Sequence, residues 1–378
     1  MAPMPEVWRF VDCGPQDAFE TNARMPVLSK EVQKGGQPLA TTAAWSATHL
    51  NVGWFDDVDA TLDLDACDRL GVQVVRRPVY GGGTAFYDKG CSAMWGFLLP
   101  KETHPDLDAE LRRFQPVVLD ALARIGLGQV RFEGSSDLRW HGRKLGALTA
   151  QDVVRCNSVG GFLNTRPPDL DLYLQVVRVP DDKFKDKLVT DMREYVVTAE
   201  EVAGRPVGYR DFRDALVGAL GDAGIRLEPR PLTDQEREGI AGVATRIAGD
   251  DAVRRVSSAR FRTAAPPGTR VGFGNEKGRK LCRAGVAIAG DGRIEAAMMA
   301  GDMHVGPPDT MDRVAAALVG AAAGDDSELR TRIASVFEGP DVHQADTAMG
   351  VTTDDLLAAV RKAVTAATAA PERAGTPS

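Results

Sequence analysis

Three consecutive glycines, Gly81, Gly82 and Gly83, follow Arg76 and Arg77 and precede Thr84, Tyr87, Asp88 and Gly90. Without a Cβ, such a run lets main-chain N–H groups approach an anion closely and adopt positive φ. The two guanidiniums supply forked donors for a phosphate or carboxylate. Asp88 closes the stretch with an acceptor. The order reads as a strand, an anion-cradling loop and a second strand; a glycine-rich hairpin turn with two surface arginines is the plainer alternative. A second candidate is Lys144, in HGRKLGAL. Followed at once by Leu145, Gly146 and Ala147, its ammonium would emerge from a packed strand and set a point charge on a phosphate or a polarised carbonyl. Taken alone it is one of 46 Lys and Arg residues. Together, an anion cradle and a separate lysine are what forming or attacking an acyl-phosphate needs.

Positioning these groups requires a sheet with helices. Val72 to Val75 is the strand entering the glycines, and Cys91 to Leu99 reads as another. Residues 7–30 begin with an apolar run and become helix-compatible near Ala18 to Leu28; residues 39–55 suggest one or two strands. Asp63 to Leu70 reads as a short helix. From Pro105 to Gly126, Leu107, Leu111, Phe114, Val118, Leu119 and Leu122 recur at helical steps. Residues 129–148 read as three short strands joined by a Gly-Ser-Ser turn and a His-Gly turn. Cys156 to Leu163 is apolar and glycine-rich, while Leu170 to Val179 fits either periodicity. Asp211 to Ala223 is helical, and Thr233 with Glu236 forms a capping box for a helix to about Ile247. After Pro266, Pro267 and Gly268, the pattern reads as a β-hairpin around Gly290-Asp291-Gly292, with two helices near 309–323 and 353–368 and a disordered tail.

The chain has 378 residues and net charge −7, with 43% hydrophobic and 26% charged residues. That is the composition of an ordinary soluble globular protein, long enough for two or three domains. It argues against a nucleic-acid or membrane-surface partner, and no apolar window is long enough to span a bilayer. Five dispersed cysteines without a CxxC pair fit neither a disulfide frame nor a structural zinc site, and point to a reducing cytoplasm. Neither a Walker loop nor HExxH occurs.

With these motifs in order, the chain resembles the lipoate–protein ligase branch of the biotin/lipoate ligase family. That family's motif runs Arg-Arg-x-Ser/Thr-Gly-Gly-Gly, then four residues, then Asp-x-Gly-Asn; here Arg76, Arg77, Gly81 to Gly83, Asp88 and Gly90 follow it. SDLRWHGRKLGAL is similar to the segment with the family's catalytic lysine, which would be Lys144, and Asp137 matches the Asp of its Asn-Asp pair. RAGVAIAGDGRIEAAMMAGD resembles the small C-terminal accessory domain. The departures are three residues, not two, between the arginines and the glycines, Tyr80 for a small hydroxyl residue, Tyr87 for histidine, Cys91 for asparagine, and a lysine motif one residue short.

The resemblance implies an α+β fold, a mixed sheet flanked by helices with a small α/β accessory domain: catalytic domain 1–255, accessory domain 256–369, tail 370–378. It implies ATP-dependent activation of lipoate or a similar carboxylic acid as an acyl-adenylate, then transfer to a lysine of a lipoyl-carrier domain. Lys144 would be catalytic. Arg76, Arg77, Gly81, Gly82, Gly83, Thr84, Tyr87, Asp88, Gly90 and Ala147 would bind substrate and ATP. Trp45, Val52, Gly53 and Trp54 would wall the acyl chain, and Asp137 would hold Mg2+. The alternatives are ATP-free octanoyl transfer through a nucleophilic cysteine, Cys156 or Cys91, and a repurposed relative that binds without transferring.

Overall fold

The computed structural model describes residues 6–78, 83–134, 136–178 except 154 and 155, 190–278, 280–344 and 350–370. Tyr80, Gly81, Gly82, most of the charged stretch from Lys183 and the tail from 371 lie outside the described residues. Contacts divide the chain into two compact units, neither of them a single stretch. One comprises residues 1–49, 68–73 and 86–247; the other comprises 50–67, 74–85 and 248–378.

The first unit is built on an eight-stranded mixed sheet. Its strands are β1 (Glu6–Gln16), β2 (Leu39–Trp45), β6 (Ser92–Pro100), β7 (Arg131–Glu133), β8 (Asp137–Trp140), β9 (Arg143–Val153), β10 (Cys156–Asn164) and β11 (Ile225–Pro229). Their order is β11-β1-β2-β6-β10-β9-β8-β7. β1 pairs in parallel with β11 and β2; the other described pairings in this sheet are antiparallel. Three short strands, β3 (His49–Val52), β4 (Gln73–Arg76) and β5 (Ala85–Tyr87), form a separate sheet in the order β4-β3-β5.

Helices cover both faces of the large sheet. The apolar periodicity of α2 (Leu107–Arg124) puts Phe114, Val118 and Leu122 into the main core. Phe212, Leu216 and Leu220 of α4 (Tyr209–Asp222) join them. On the other face, α1 (Ala18–Gly35) buries Leu28 and Val32 against Val11, Leu39, Leu98 and Cys156. The ambiguous segment after Leu170 is a helix, α3 (Leu170–Val176), started by the Asp169 carboxylate accepting from the Leu172 N–H. The capping box of α5 (Asp234–Ala248) is formed: Thr233 N–H donates to Glu236, and Glu236 N–H donates to Thr233 Oγ1.

In the second unit, β12 (Arg270–Lys277), β13 (Leu281–Ile288) and β14 (Ile294–Gly301) form an antiparallel meander. Two helices, α6 (Thr310–Leu318) and α8 (Thr353–Ala369), pack on it, and α7 (Asp326–Phe337) packs against both of them. Sequence reading anticipated α6 and α8 but missed α7, although Leu329, Ile333 and Phe337 recur every fourth residue behind an Asp325 cap. Phe55 joins this unit's core. No helix among the described residues is long and apolar enough to cross a membrane, and all five cysteines are free.

Candidate active site

A two-residue turn positions Lys144. His141 (φ 49°) and Gly142 (φ 75°) both have positive φ, the backbone of a tight hairpin between β8 and β9. The turn sets Trp140 opposite Arg143 and Arg139 opposite Lys144. The register then shifts: Leu138 opposes Gly146 and Asp137 opposes Ala147, leaving Leu145 as an extra residue on β9. Side chains alternate faces along a strand, so Lys144 and Ala147, three positions apart, would otherwise point to opposite faces. The bulge puts them on one face, and sends Leu145 into the main core. The shortened lysine motif thus carries a structural consequence that spacing alone did not reveal.

On that face Lys144 Nζ lies 2.7 Å from Asp137 Oδ1, and Arg139 Nη2 donates to Asp137 Oδ2 at 3.0 Å. The lysine side chain remains a quarter exposed. An ammonium held on a carboxylate at a partly open position can stabilise negative charge developing on a substrate oxygen. Mg2+ does not fit at Asp137, because both oxygens already face cations. Among the described residues no group of three or more His, Cys, Asp or Glu side chains gathers to hold a metal.

From Ala147 an apolar row crosses the sheet. Ala147 opposes Phe162 on β10, Phe162 opposes Met94 on β6, and Met94 opposes Ala43 on β2. Directly opposed residues share a face, and Ala43, Met94, Phe162, Trp45, Tyr87 and Cys13 pack as one cluster. The row spans three strand intervals, about 14 Å, a length suited to a medium-chain acyl group. At its far end the Trp45 ring lies 4.3 Å from His49 and 5.0 Å from Tyr87. Burial pushes His49 down to about 4, so the imidazole is neutral near pH 7. Gly146 and Gly161 hold β9 against β10: a Cβ on them would sit 2.1 and 2.0 Å from main-chain oxygens of the facing strand. Beside β9, Arg143, Pro168, Leu170, Met192, Val196 and Glu201 line a cavity of about 430 Å3.

The arginine–glycine stretch has a different character. Arg76 is 2% exposed, and its guanidinium donates to the carbonyls of Gly53, Trp54, Asp56, Ala252, Val253 and Val256. All three nitrogens are engaged, so the expected role as an anion donor is corrected to that of a buried tie between two loops. Burial lowers its pKa to about 10. Arg77 Nη2 donates to the Gly83 carbonyl at 2.7 Å. Thr84 donates to Asp56 through both N and Oγ1.

Asp88 accepts from Thr48 Oγ1, Lys89 N and Asp169 N, anchoring the start of α3. Burial raises its pKa, but these bonds outweigh it and hold the carboxyl below its ordinary value. Gly90 takes φ 69° in the following turn. Of the expected acyl-wall residues, Trp45 belongs to the row. Val52, Gly53 and Trp54 belong to the second unit, where Trp54 Nε1 donates to the Pro308 carbonyl and its ring lies under Arg255 at 4.5 Å.

Neither candidate nucleophile is poised. Cys156 is fully buried beneath α1 with Leu28 and Val32. It lies six residues, about 20 Å of strand, from Phe162. Cys91 is buried, and burial with the neighbouring Asp88 pushes its thiol up to about 11.

The lipoyl protein ligase A/B catalytic-domain model matches residues 17–221, more than half of the chain. The chain belongs to that family. The octanoyltransferase LipM of Kyrpidia tusciae is 26% identical over 263 residues, covering 62% of this chain and 93% of that protein. LipM of Bacillus subtilis is 22% identical over 274 residues, covering 65% and 97%. Among solved structures, a bipartite lipoate–protein ligase from Thermoplasma acidophilum superposes with TM-score 0.57 at 19% identity, over 66% of this chain and 96% of that one. Plasmodium falciparum LipL1, in complex with lipoate, gives TM-score 0.61 at 11% identity, over 94% and 98%. The fold is therefore the expected α+β architecture of lipoate ligases. Of the residues expected from sequence, Lys144, Asp137, Ala147 and Trp45 lie on this face; Ala43, Met94 and Phe162, which join them there, were not among the expected ones, and their alternation in strands flanking paired glycines was the available signal.

Proposed function

We propose that the protein is an acyltransferase of protein lipoylation. It moves an octanoyl-type group from a carrier thioester to a lysine of a lipoyl domain, without ATP. The observation carrying this reading is the Lys144–Asp137 pair at the head of the apolar row. The acyl chain lies along Ala147, Phe162 and Met94, with its carbonyl at Lys144. The acceptor amine attacks that carbonyl, the C–N bond forms, and the Lys144 ammonium stabilises the oxyanion. The C–S bond then breaks and the departing sulfur takes the amine proton. Asp137 orients the ammonium. The octanoyltransferase names of the sequence relatives support the reading. So does the occupation of Arg76 by carbonyls, which removes one expected phosphate ligand.

ATP-dependent ligation is the second reading, favoured by the fold's likeness to a lipoate-protein ligase A bound with ATP (TM-score 0.53 at 16% identity, over 65% of this chain and 98% of that one). In that reading residues 256–369 act as the accessory domain. Incubation with octanoyl-carrier protein and a lipoyl domain, read by intact mass, separates the two. Octanoylation without ATP is expected. Modification only when ATP and free octanoate or lipoate are supplied overturns the first reading. A stable octanoyl adduct on Cys91 or Cys156 would route transfer through that thiol instead.

A further inference from the structure

The far end of the apolar row contains a buried cation without a counter-ion. Arg24, on α1, is 3% exposed. Its Nη1 donates to Gln16 Oε1 at 2.6 Å, and its Nε has no partner. The carboxylates nearest in sequence are engaged elsewhere: Asp17 with the Glu20 N–H, Glu20 with the Asp17 N–H, Glu31 with Lys34 and Asp12 with Arg213. Among the described residues no carboxylate pairs with Arg24. The guanidinium also hydrogen-bonds the Cys13 sulfur, but burial pushes that thiol up against the pull of the guanidinium, so it supplies no charge.

Arg24 is tied to the row twice. Cys13 packs in the cluster of Trp45, Met94 and Phe162, and Gln16 is the register partner of Trp45. Other polar atoms at this end are equally unsatisfied: Trp45 Nε1, Thr21 Oγ1 one helical turn before Arg24, and His49 Nε2. Neutral His49 turns its Nδ1–H to the Ala47 carbonyl at 3.1 Å, so its Nε2 is an acceptor and adds no donor for an anion. Buried donors are ordinarily hydrogen-bonded, and a buried charge is ordinarily paired. Unpaired donors of Arg24, Trp45 and Thr21 at one end of an otherwise apolar row are what a ligand ending in an acceptor would satisfy.

We propose that this end binds an anion, and that the row takes an acyl group ending in a carboxylate in preference to one ending in a methyl group. The Arg24 Nε–H and Trp45 Nε1–H donate to its oxygens, and the Thr21 hydroxyl can add a third bond. This deepens the reading of the row as the acyl site and rests on it. It defines a substrate class, the monothioester of a medium-chain dicarboxylic acid, against which a plain octanoyl chain would leave the donors unpaired. A site built to hydrogen-bond a substrate group discriminates strongly against the analogue lacking it.

The test is calorimetric titration of the full chain with two pantetheine thioesters, octanoyl and its ω-carboxyl counterpart, without acceptor. The ω-carboxyl thioester is expected to bind at least about tenfold more tightly. Arg24→Met is expected to abolish that preference, and Arg24→Lys to retain part of it. Should Arg24→Met not fold, Trp45→Phe, which removes one donor, is expected to reduce the preference severalfold. Equal affinities in the wild type, a preference unchanged by these variants, or binding of neither thioester overturns the proposal. Transfer is read separately by the mass assay with the lipoyl domain. Octanoyl transfer there, with no ω-carboxyl preference here, therefore leaves the functional reading standing and removes only this one.

Discussion

Two charged regions drew attention in the sequence, and the fold uses them in opposite ways. In the arginine–glycine stretch, Arg76 is sealed inside and donates to six main-chain carbonyls, while Thr84 and Asp88 are bound to protein groups. In the β8–β9 hairpin, Lys144 meets Asp137 and Arg139 at a partly exposed position, beside a row of apolar side chains. Both regions are rich in donors. The difference is whether the protein's own carbonyls have already taken them, a question residue type cannot answer.

The sharpest way to break the contrast is Arg76→Met. It would leave several buried carbonyls without a donor and should lower stability by upwards of about 3 kcal/mol, read by urea unfolding, with catalysis affected only through the fraction folded. Lys144→Met should do the reverse. Transfer should fall by roughly a hundredfold to a thousandfold, while the unfolding midpoint hardly moves. If Arg76→Met proves stable yet loses activity specifically, the contrast between the two regions fails.

A pH titration sharpens the far end of the row. His49 is held near 4, below its unfolded value of about 6.5. The unfolded chain therefore binds the extra proton first as pH falls. The stability from keeping His49 neutral is complete above about 6.5 and drains away down to about 4, a loss on the order of 3 kcal/mol. His49→Phe should flatten that part of the profile, measured by unfolding at fixed temperature across the range. The smallest effect is expected from Ala147→Leu. It narrows the head of the row and should cut use of long acyl thioesters by about tenfold relative to short ones, visible as a change in the ratio of kcat/KM values.

Much of the frame was legible. Amphipathic periodicity located α2 and α4, turn residues located the β13–β14 hairpin, and the Thr233–Glu236 box located the start of α5. What escaped was long-range. The row Ala43–Met94–Phe162–Ala147 draws one residue from each of four strands, so no local window contains it. The bulge at Leu145 appeared in the sequence only as a motif one residue short, and its effect on the facing of Lys144 needs the partner strand to define it. Arg76 read as an anion donor because its acceptors at Ala252, Val253 and Val256 lie about 180 residues away. The pairing of Asp137 with two cations, against the expected Mg2+, is also a matter of register.

The central claim is that the bulged hairpin delivers Lys144 to the head of an acyl row running across β9, β10, β6 and β2. A crystal structure with a non-hydrolysable octanoyl-pantetheine analogue tests it most directly. The chain should lie over Ala147, Phe162 and Met94, with the carbonyl oxygen within hydrogen-bonding reach of Lys144 Nζ. An acyl chain bound away from this face, or a carbonyl out of reach of Lys144, would contradict the account.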